Sequence, residues 1–379
     1  MLALACLPGS RVAGQAADQP AATLKIQARE VMLPVTVRDK KGAMVTTLKA
    51  SDFTLTEDSR PQTIKSFTRE SNLPFRLGLL VDTSRSLSGA MEGERKAAGK
   101  FVDLMLPADP KDAGKKDEAF LIHFDREVEL LEDFTNSRDK LHRELDEMGP
   151  SRAARDDAQQ QGPETSGDDR NGERPRGGRG GTQLYDAIYL AADELMRPKD
   201  GRKALVVFSD GVDRGSKETL NDAVDAADRA NLAVYTIYFK GEQEHNGFGN
   251  EHPGGGHRGG GYPGGGGGYP GGGGGYPGGG GGGRRGGGDD KKAEVDGKKI
   301  MEKIADRTGG RYFEAKKADN LGDIYNEIAT ELRGQYLLSY TPDVVDKEGG
   351  FHKIALKANN NDLTVVTREG YYATGGEAK

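Results

Sequence analysis

The run Phe75-Arg76-Leu77-Gly78-Leu79-Leu80-Val81-Asp82-Thr83-Ser84-Arg85-Ser86 constrains the fold more than any other stretch of the chain. Its apolar half is nearly continuous rather than alternating, which reads as a strand buried on both faces, as in a parallel sheet covered by helices. The run closes on one carboxylate and two hydroxyls spaced two apart, so the strand delivers oxygen side chains to its carboxyl-terminal tip. Oxygen ligands at one point suit a hard divalent cation.

Two further segments follow the same grammar. Lys203-Ala204-Leu205-Val206-Val207-Phe208-Ser209-Asp210-Gly211 is again an apolar strand, an acid, and a glycine that permits a sharp turn. Between them, Gly180-Gly181-Thr182-Gln183-Leu184 opens a helix predicted over 182–196, with Thr182 as its N-cap. From 75 to 333 strands and helices alternate, with strands expected at 76–82, 119–124, 128–131, 204–209, 234–239 and 311–314. Helices are expected at 90–105, 137–148, 182–196, 217–230, 297–308 and 320–332. This alternation predicts an α/β, doubly wound, mostly parallel sheet whose ligands bind beyond the carboxyl ends of the strands. Asp82 and Asp210 stand at such ends.

Asp82, Ser84, Ser86, Thr182 and Asp210 together resemble the metal-ion-dependent adhesion site of von Willebrand factor type A domains, the integrin inserted domains included. That pattern is Asp-x-Ser-x-Ser, then a distant Thr, then a distant Asp. The resemblance implies a Rossmann-like fold, direct ligation by the two serines and often the threonine, and acids acting mostly through water. Val35-Thr36-Val37-Arg38-Asp39-Lys40-Lys41-Gly42, Asp52-Phe53-Thr54-Leu55-Thr56-Glu57-Asp58, Tyr336-Leu337-Leu338-Ser339-Tyr340-Thr341-Pro342 and Gly370-Tyr371-Tyr372-Ala373 extend it to a bacterial, exported subgroup of that family. Arg85 departs from it, because Gly or Ser is commoner between the serines. A bulky cation there would tune affinity or select an acidic partner. Asp213 is either a supporting acid behind the site or a solvent-exposed one.

Three neutral hydroxyls with only two acids suit octahedral coordination by Mg²⁺, which keeps several waters, and Mn²⁺ or Ca²⁺ can take the same ligands. Zn²⁺ would want His or Cys. A cation held this way stays under-neutralised, leaving a position for a carboxylate from outside. The expected function is therefore metal-dependent adhesion to a protein that presents an Asp or Glu carboxylate. The same residues taken singly would only cap strand ends and turns.

Strand-like segments without helices flank this domain at 22–70 and 335–374, and the expectation is that they pair into one small β-sandwich module. Two insertions interrupt the domain, at 150–180 and 245–292, and both are expected to be disordered. The first, charged and without apolar periodicity, leads straight into Thr182 and is either a tolerated surface loop or an arm that selects partners. The second repeats Gly-Gly-Gly-Tyr-Pro-Gly-Gly with Tyr262, Tyr269 and Tyr276 seven apart, and glycine and proline exclude a helical heptad. Its neighbours His245, His252 and His257 read as solvated rather than ligating.

A net charge of −6 with interspersed signs gives no reason to expect nucleic acid or an anionic membrane as partner. Cys6 is the single cysteine, which excludes an internal disulfide and a cysteine metal cluster. Residues 1–20 read as a shortened export signal, with Ala13-Gly14-Gln15-Ala16 acceptable to signal peptidase. Ala3 argues against lipid attachment at Cys6, because a lipoprotein signal usually has Leu there. The expected location is the periplasm, cell envelope or exterior, without a membrane span. No Gly-x-Ser-x-Gly elbow, Walker A loop or dinucleotide fingerprint occurs, and His123 lies in an apolar strand, so no enzyme is expected. A metal-dependent hydrolase and an envelope component with a purely stabilising cation are the competing readings.

Overall fold

The computed structural model describes residues 30–69, 73–108, 117–150, 181–240, 289–343 and 349–373. The expected segment 1–20 and the body of both insertions lie outside the described residues. The chain opens with β1 (Val31–Arg38), β2 (Phe53–Glu57), β3 (Arg60–Gln62) and β4 (Ile64–Thr68). Between β2 and β3, Asp58 and Ser59 have φ of 47° and 68°, the paired left-handed residues of a two-residue type I′ hairpin.

The central domain follows as β5 (Phe75–Asp82), α1 (Met91–Met105), β6 (Glu118–Phe124), β7 (Val128–Thr135) and α2 (Arg138–Glu147), then α3 (Leu184–Leu190), β8 (Arg202–Ser209), α4 (Leu220–Arg229) and β9 (Leu232–Phe239). It ends with α5 (Asp289–Thr308), β10 (Tyr312–Ala315) and α6 (Leu321–Gly334), after which come β11 (Tyr336–Tyr340), β12 (Phe351–Ala358), β13 (Thr364–Val366) and β14 (Gly370–Tyr372).

Six strands form the central sheet in the order β10-β9-β8-β5-β6-β7. All neighbours are parallel except β6 and β7, so one antiparallel edge strand closes an otherwise parallel sheet. Alternate residues of β5 enter two different cores, which is why its apolar run is unbroken. Leu77, Leu79 and Val81 pack with Phe101 of α1 and Tyr325 of α6, whereas Leu80 packs with Leu184 of α3 and Val224 of α4. The flanking strands make two four-stranded antiparallel sheets, β13-β1-β11-β4 and β14-β12-β2-β3. They share a core of Leu33, Val35, Leu55, Leu338, Tyr340 and Leu356, so amino- and carboxyl-terminal strands do build one β-sandwich. The doubly wound sheet flanked by that module is the architecture expected from the sequence.

Several boundaries differ from expectation. The helix expected from 217 begins at Leu220, because Thr219 and Asp222 form a capping box, with Thr219 Oγ1 accepting from Asp222 N at 3.3 Å and Asp222 Oδ2 accepting from Thr219 N at 3.0 Å. The helix expected from 297 reaches back to Asp289, inside the expected second insertion. The six residues after α3, Ala191–Met196, loosen into a π-helical turn.

A buried seam joins module and domain. Glu331 of α6, 1% exposed, accepts from Thr36 of β1 at 3.3 Å and from Tyr235 of β9 at 3.2 Å, and pairs with Arg38 of β1 and, at 3.2 Å, Arg311.

Candidate metal centre

Three of the expected site residues come from the end of β5 and the loop after it, where the chain leaves the sheet as a 3₁₀ turn over Arg85–Ala90 before α1. Asp82, the last residue of β5, is fully buried. Its Oδ1 accepts from Ser84 N at 2.9 Å, and its Oδ2 accepts from Ser209 Oγ at 2.7 Å. The acid is thus fixed from both sides and orients Ser84. Ser84 Oγ lies 3.0 Å from Ser86 Oγ, and Ser86 Oγ donates to Asp210 Oδ2 at 2.9 Å. Asp210 Oδ1 accepts from Val212 N at 3.0 Å, which turns the other carboxylate oxygen toward the serines. Gly211 has a φ of +72° and lies against Gly297, so the turn that presents Asp210 needs a residue without Cβ.

Thr182 arrives from a distant segment. Gln183 N donates to Asp125 O at 2.8 Å, tying this segment to the loop after β6. Arg214 N and Gly215 N both donate to Thr182 O, at 3.0 and 3.1 Å, tying it to the loop after β8. A Cβ at Gly181 would lie 2.2 Å from Arg214 Cβ, and one at Gly215 would lie 2.3 Å from Gly181 O, so two glycines permit this approach. Thr182 is not the N-cap, contrary to expectation. That position belongs to Gln183, whose side chain makes no cap bond, and α3 begins at Leu184. The amino end of α3 is held instead by Asp213 and Ser216, whose side chains accept from Tyr185 N at 3.2 Å and Asp186 N at 3.0 Å. Asp213 is therefore structural support for the Thr182 segment, the first of the two roles open to it from the sequence.

A cavity of about 400 Å³ at this end of the sheet is lined by Ser84, Ser86, Thr182 and Asp210 among others, with Asp82 behind Ser84. Four of the five expected residues line it, and the fifth, Asp82, holds Ser84 from behind. Burial, and then the neighbouring charge of Asp210, push the Asp82 carboxyl up to about 7. Burial raises Asp210 as well. A buried acid beside a half-buried one, faced by hydroxyls, favours a positive charge between them. The donor set passes the test for Mg²⁺: Ser84, Ser86, Thr182, Asp82 and Asp210 offer only oxygen, and no imidazole or thiol is among the cavity's described lining residues.

Ser209 was not singled out in the sequence, although its hydroxyl holds Asp82 and accepts from Gly211 N at 3.0 Å. Its signal was its place just before Asp210. His123 packs below the site, with Nδ1 2.9 Å from Gly149 O and Nε2 3.0 Å from Glu129 Oε2, and lines no part of the cavity. A second cluster, unforeseen, lies in the β-sandwich: ligand-type atoms of Glu57, Asp58 and His352 fall within 4.8 Å of one another. His352 Nδ1 is 2.8 Å from Asp58 Oδ2 and 3.5 Å from Glu57 Oε1, the spacing of an imidazole paired with carboxylates.

No protein-family model matches the chain, and no curated protein matches it either. Among solved structures, it is similar to BatB from Bacteroides thetaiotaomicron, at 13% identity over 68% of this chain and 97% of that one, with a TM-score of 0.38. It is similar to the vWF domain of the type V pili tip protein Mfa5 from Porphyromonas gingivalis, at 12% identity, 69% and 95% coverage and a TM-score of 0.40. It is also similar to proximal thread matrix protein 1 from the mussel byssus with a zinc-occupied MIDAS motif, at 10% identity and a TM-score of 0.41, over 69% of this chain and 48% of that one. The named neighbours thus include von Willebrand factor A domains, and the argument for this chain rests on its own strand order and residue placement.

Proposed function

We propose that the chain is a non-enzymatic interaction module of the von Willebrand factor A type, which binds an acidic group of a partner protein through a divalent cation, most simply Mg²⁺. One observation carries this reading. Ser84, Ser86 and Asp210 form a continuous chain of oxygen contacts at 3.0 and 2.9 Å on the rim of a cavity that Thr182 also lines.

Ser84, Ser86 and Thr182 would supply the direct ligands, with Asp82 and Asp210 orienting them and balancing charge. A bound cation would supply a strong, localised positive charge with room for one carboxylate from outside. The acids supporting this arrangement are engaged by protein donors rather than poised as bases: Asp82 by Ser84 N and Ser209, Asp210 by Ser86 and Val212 N. That engagement supports adhesion over hydrolysis, which would want a positioned base beside bound water. Among the described residues no helix is long and apolar enough to cross a membrane. Export to the envelope or beyond belongs to the proposal and is supported by the composition of residues 1–20.

Calorimetric titration with Mg²⁺ and with Mn²⁺ tests the reading. Wild-type protein should take up one equivalent at this centre, and Ser84→Ala and Asp210→Ala should lose it while keeping the wild-type far-UV spectrum. A folded wild-type chain that takes up neither ion ends the proposal. Turnover of an ester or phosphate library would replace adhesion with hydrolysis.

A further inference from the structure

The cavity at the metal centre carries more positive charge than the capture of one carboxylate requires. Arg85, Arg126 and Arg214 all line it. Each comes from a different loop at the same end of the sheet: Arg85 after β5, Arg126 after β6 and Arg214 after β8. Their positions are built into the site. Arg85 stands between the two serines of the site. Arg126 follows Asp125, whose backbone carbonyl anchors Gln183 beside Thr182. Arg214 is clamped to Thr182 by its own N–H at 3.0 Å, across the two glycines that allow the contact. Arg85 and Arg214 are exposed, and neither guanidinium forms an ion pair with another described residue. Arg126 has a protein contact of its own and contributes chiefly its charge.

Charge balance sets the class of ligand. Among the cavity's described lining residues three arginines face two aspartates, Asp125 and Asp210, with Asp82 behind Ser84 and Asp213 behind the Thr182 segment. A bound divalent ion would be balanced first by Asp82 and Asp210, which hold the serines, and this leaves the exposed guanidiniums of Arg85 and Arg214 to receive an anion beside it. From this, and resting on the metal-bridge reading above, we propose that the partner is an acidic peptide segment: one carboxylate meets the cation while at least one neighbouring Asp or Glu is received by the guanidiniums of Arg85 and Arg214. A planar guanidinium matches a carboxylate in two parallel hydrogen bonds, which an ammonium cannot do. A protein segment fits better than an acidic sugar chain, because no aromatic ring is among the described lining residues for a sugar face to stack on.

The test uses the full chain in Mg²⁺ and two Gly/Ser host peptides, one carrying a single Glu and the other three Glu in a row. The three-Glu peptide should bind about 10-fold more tightly at low salt, the gain expected of two exposed charge-assisted contacts. That ratio should shrink toward one as ionic strength rises past about 0.3 M. In the double variant Arg85→Ala/Arg214→Ala the ratio should fall to about one even at low salt, and the salt series on wild-type protein gives a reading that does not depend on the variant folding. A ratio near one in wild type, or a ratio unchanged in the double variant, overturns the inference and leaves the metal bridge standing. Displacement of the three-Glu peptide by polygalacturonate at lower carboxylate concentration overturns it in favour of an acidic glycan. A single-Glu peptide indifferent to Mg²⁺ overturns the metal bridge itself.

Discussion

The seam at Glu331 and the rim at Asp82 use similar side chains to opposite ends. At the seam, one buried carboxylate is surrounded by Arg38, Arg311, Thr36 and Tyr235, so its charge and its lone pairs are met from inside the molecule. At the rim, two carboxylates and two serine hydroxyls face one another, and the nearest cations belong to arginines spread around the cavity mouth. The closed cluster locks the β-sandwich to the doubly wound sheet. The open one holds a carboxyl that burial, and then the charge of Asp210, raise to about 7, and a cation from solution would offset that cost. What separates a structural polar cluster from a binding one here is whether a cation of the protein touches the carboxylate, as at Glu331, or stands off at the cavity mouth, as at Asp82 and Asp210.

The comparison breaks most readily at the seam. Glu331→Ala removes the buried acid between Arg38 and Arg311, leaves them only the more exposed Glu327 at 3.6 and 2.7 Å, and should cost about 3 kcal/mol in urea denaturation, the low end for removing one partner of a buried ion pair. Asp210→Ala, by contrast, removes a repulsion from Asp82 and should leave metal-free protein as stable as wild type or more so. A loss at Asp210 equal to that at Glu331 would erase the distinction drawn here.

Adding Mg²⁺ sharpens it. At about one hundred times its dissociation constant the ion should stabilise wild-type protein by about 2.7 kcal/mol and leave Ser84→Ala where it was. A thermal melt with and without the ion decides the matter.

The pH dependence is a finer probe. Asp82 in the folded protein holds its proton up to about 7, whereas in the unfolded chain it loses it near 3.8. Between those values the folded state binds more protons, so the contribution of Asp82 to metal-free stability is full below the lower value and falls as pH rises toward about 7. Asp82→Asn should flatten that slope. Glu94, buried against Tyr325 with its carboxyl raised to about 8, contributes a slope of the same sign that extends somewhat higher in pH. Mg²⁺ should remove the Asp82 share and leave the Glu94 share, read as urea midpoints across the pH range. The smallest effect belongs to Arg85→Ala, which should change stability by less than about 0.5 kcal/mol, since the side chain is exposed and touches no core.

Much of this was legible in the chain because it depends on local order. The unbroken apolar run of β5 announced a strand covered on both faces, and the polar residues following it had to emerge at its tip. The same held for β8 and Asp210. Thr182 was placed at the right site for a partly wrong reason, since the N-cap lies at Gln183 and the segment is held by Asp125 and by the loop around Arg214. Those anchors are backbone bonds between segments far apart in sequence, and such bonds leave no periodic trace. The roles of Glu331, Arg126 and Arg214 likewise depend on segments distant in sequence.

The order of residues alone was enough to specify a doubly wound sheet, a terminal β-sandwich and a set of five oxygen side chains, because periodicity and strand-end position are properties of neighbours along the chain. Only the tertiary structure decided that four of those five line one cavity with Asp82 behind them, that Ser209 holds Asp82, and that three arginines from three loops line the same cavity. Charge balance is a sum over everything close in space, and closeness in space is what a linear sequence does not record.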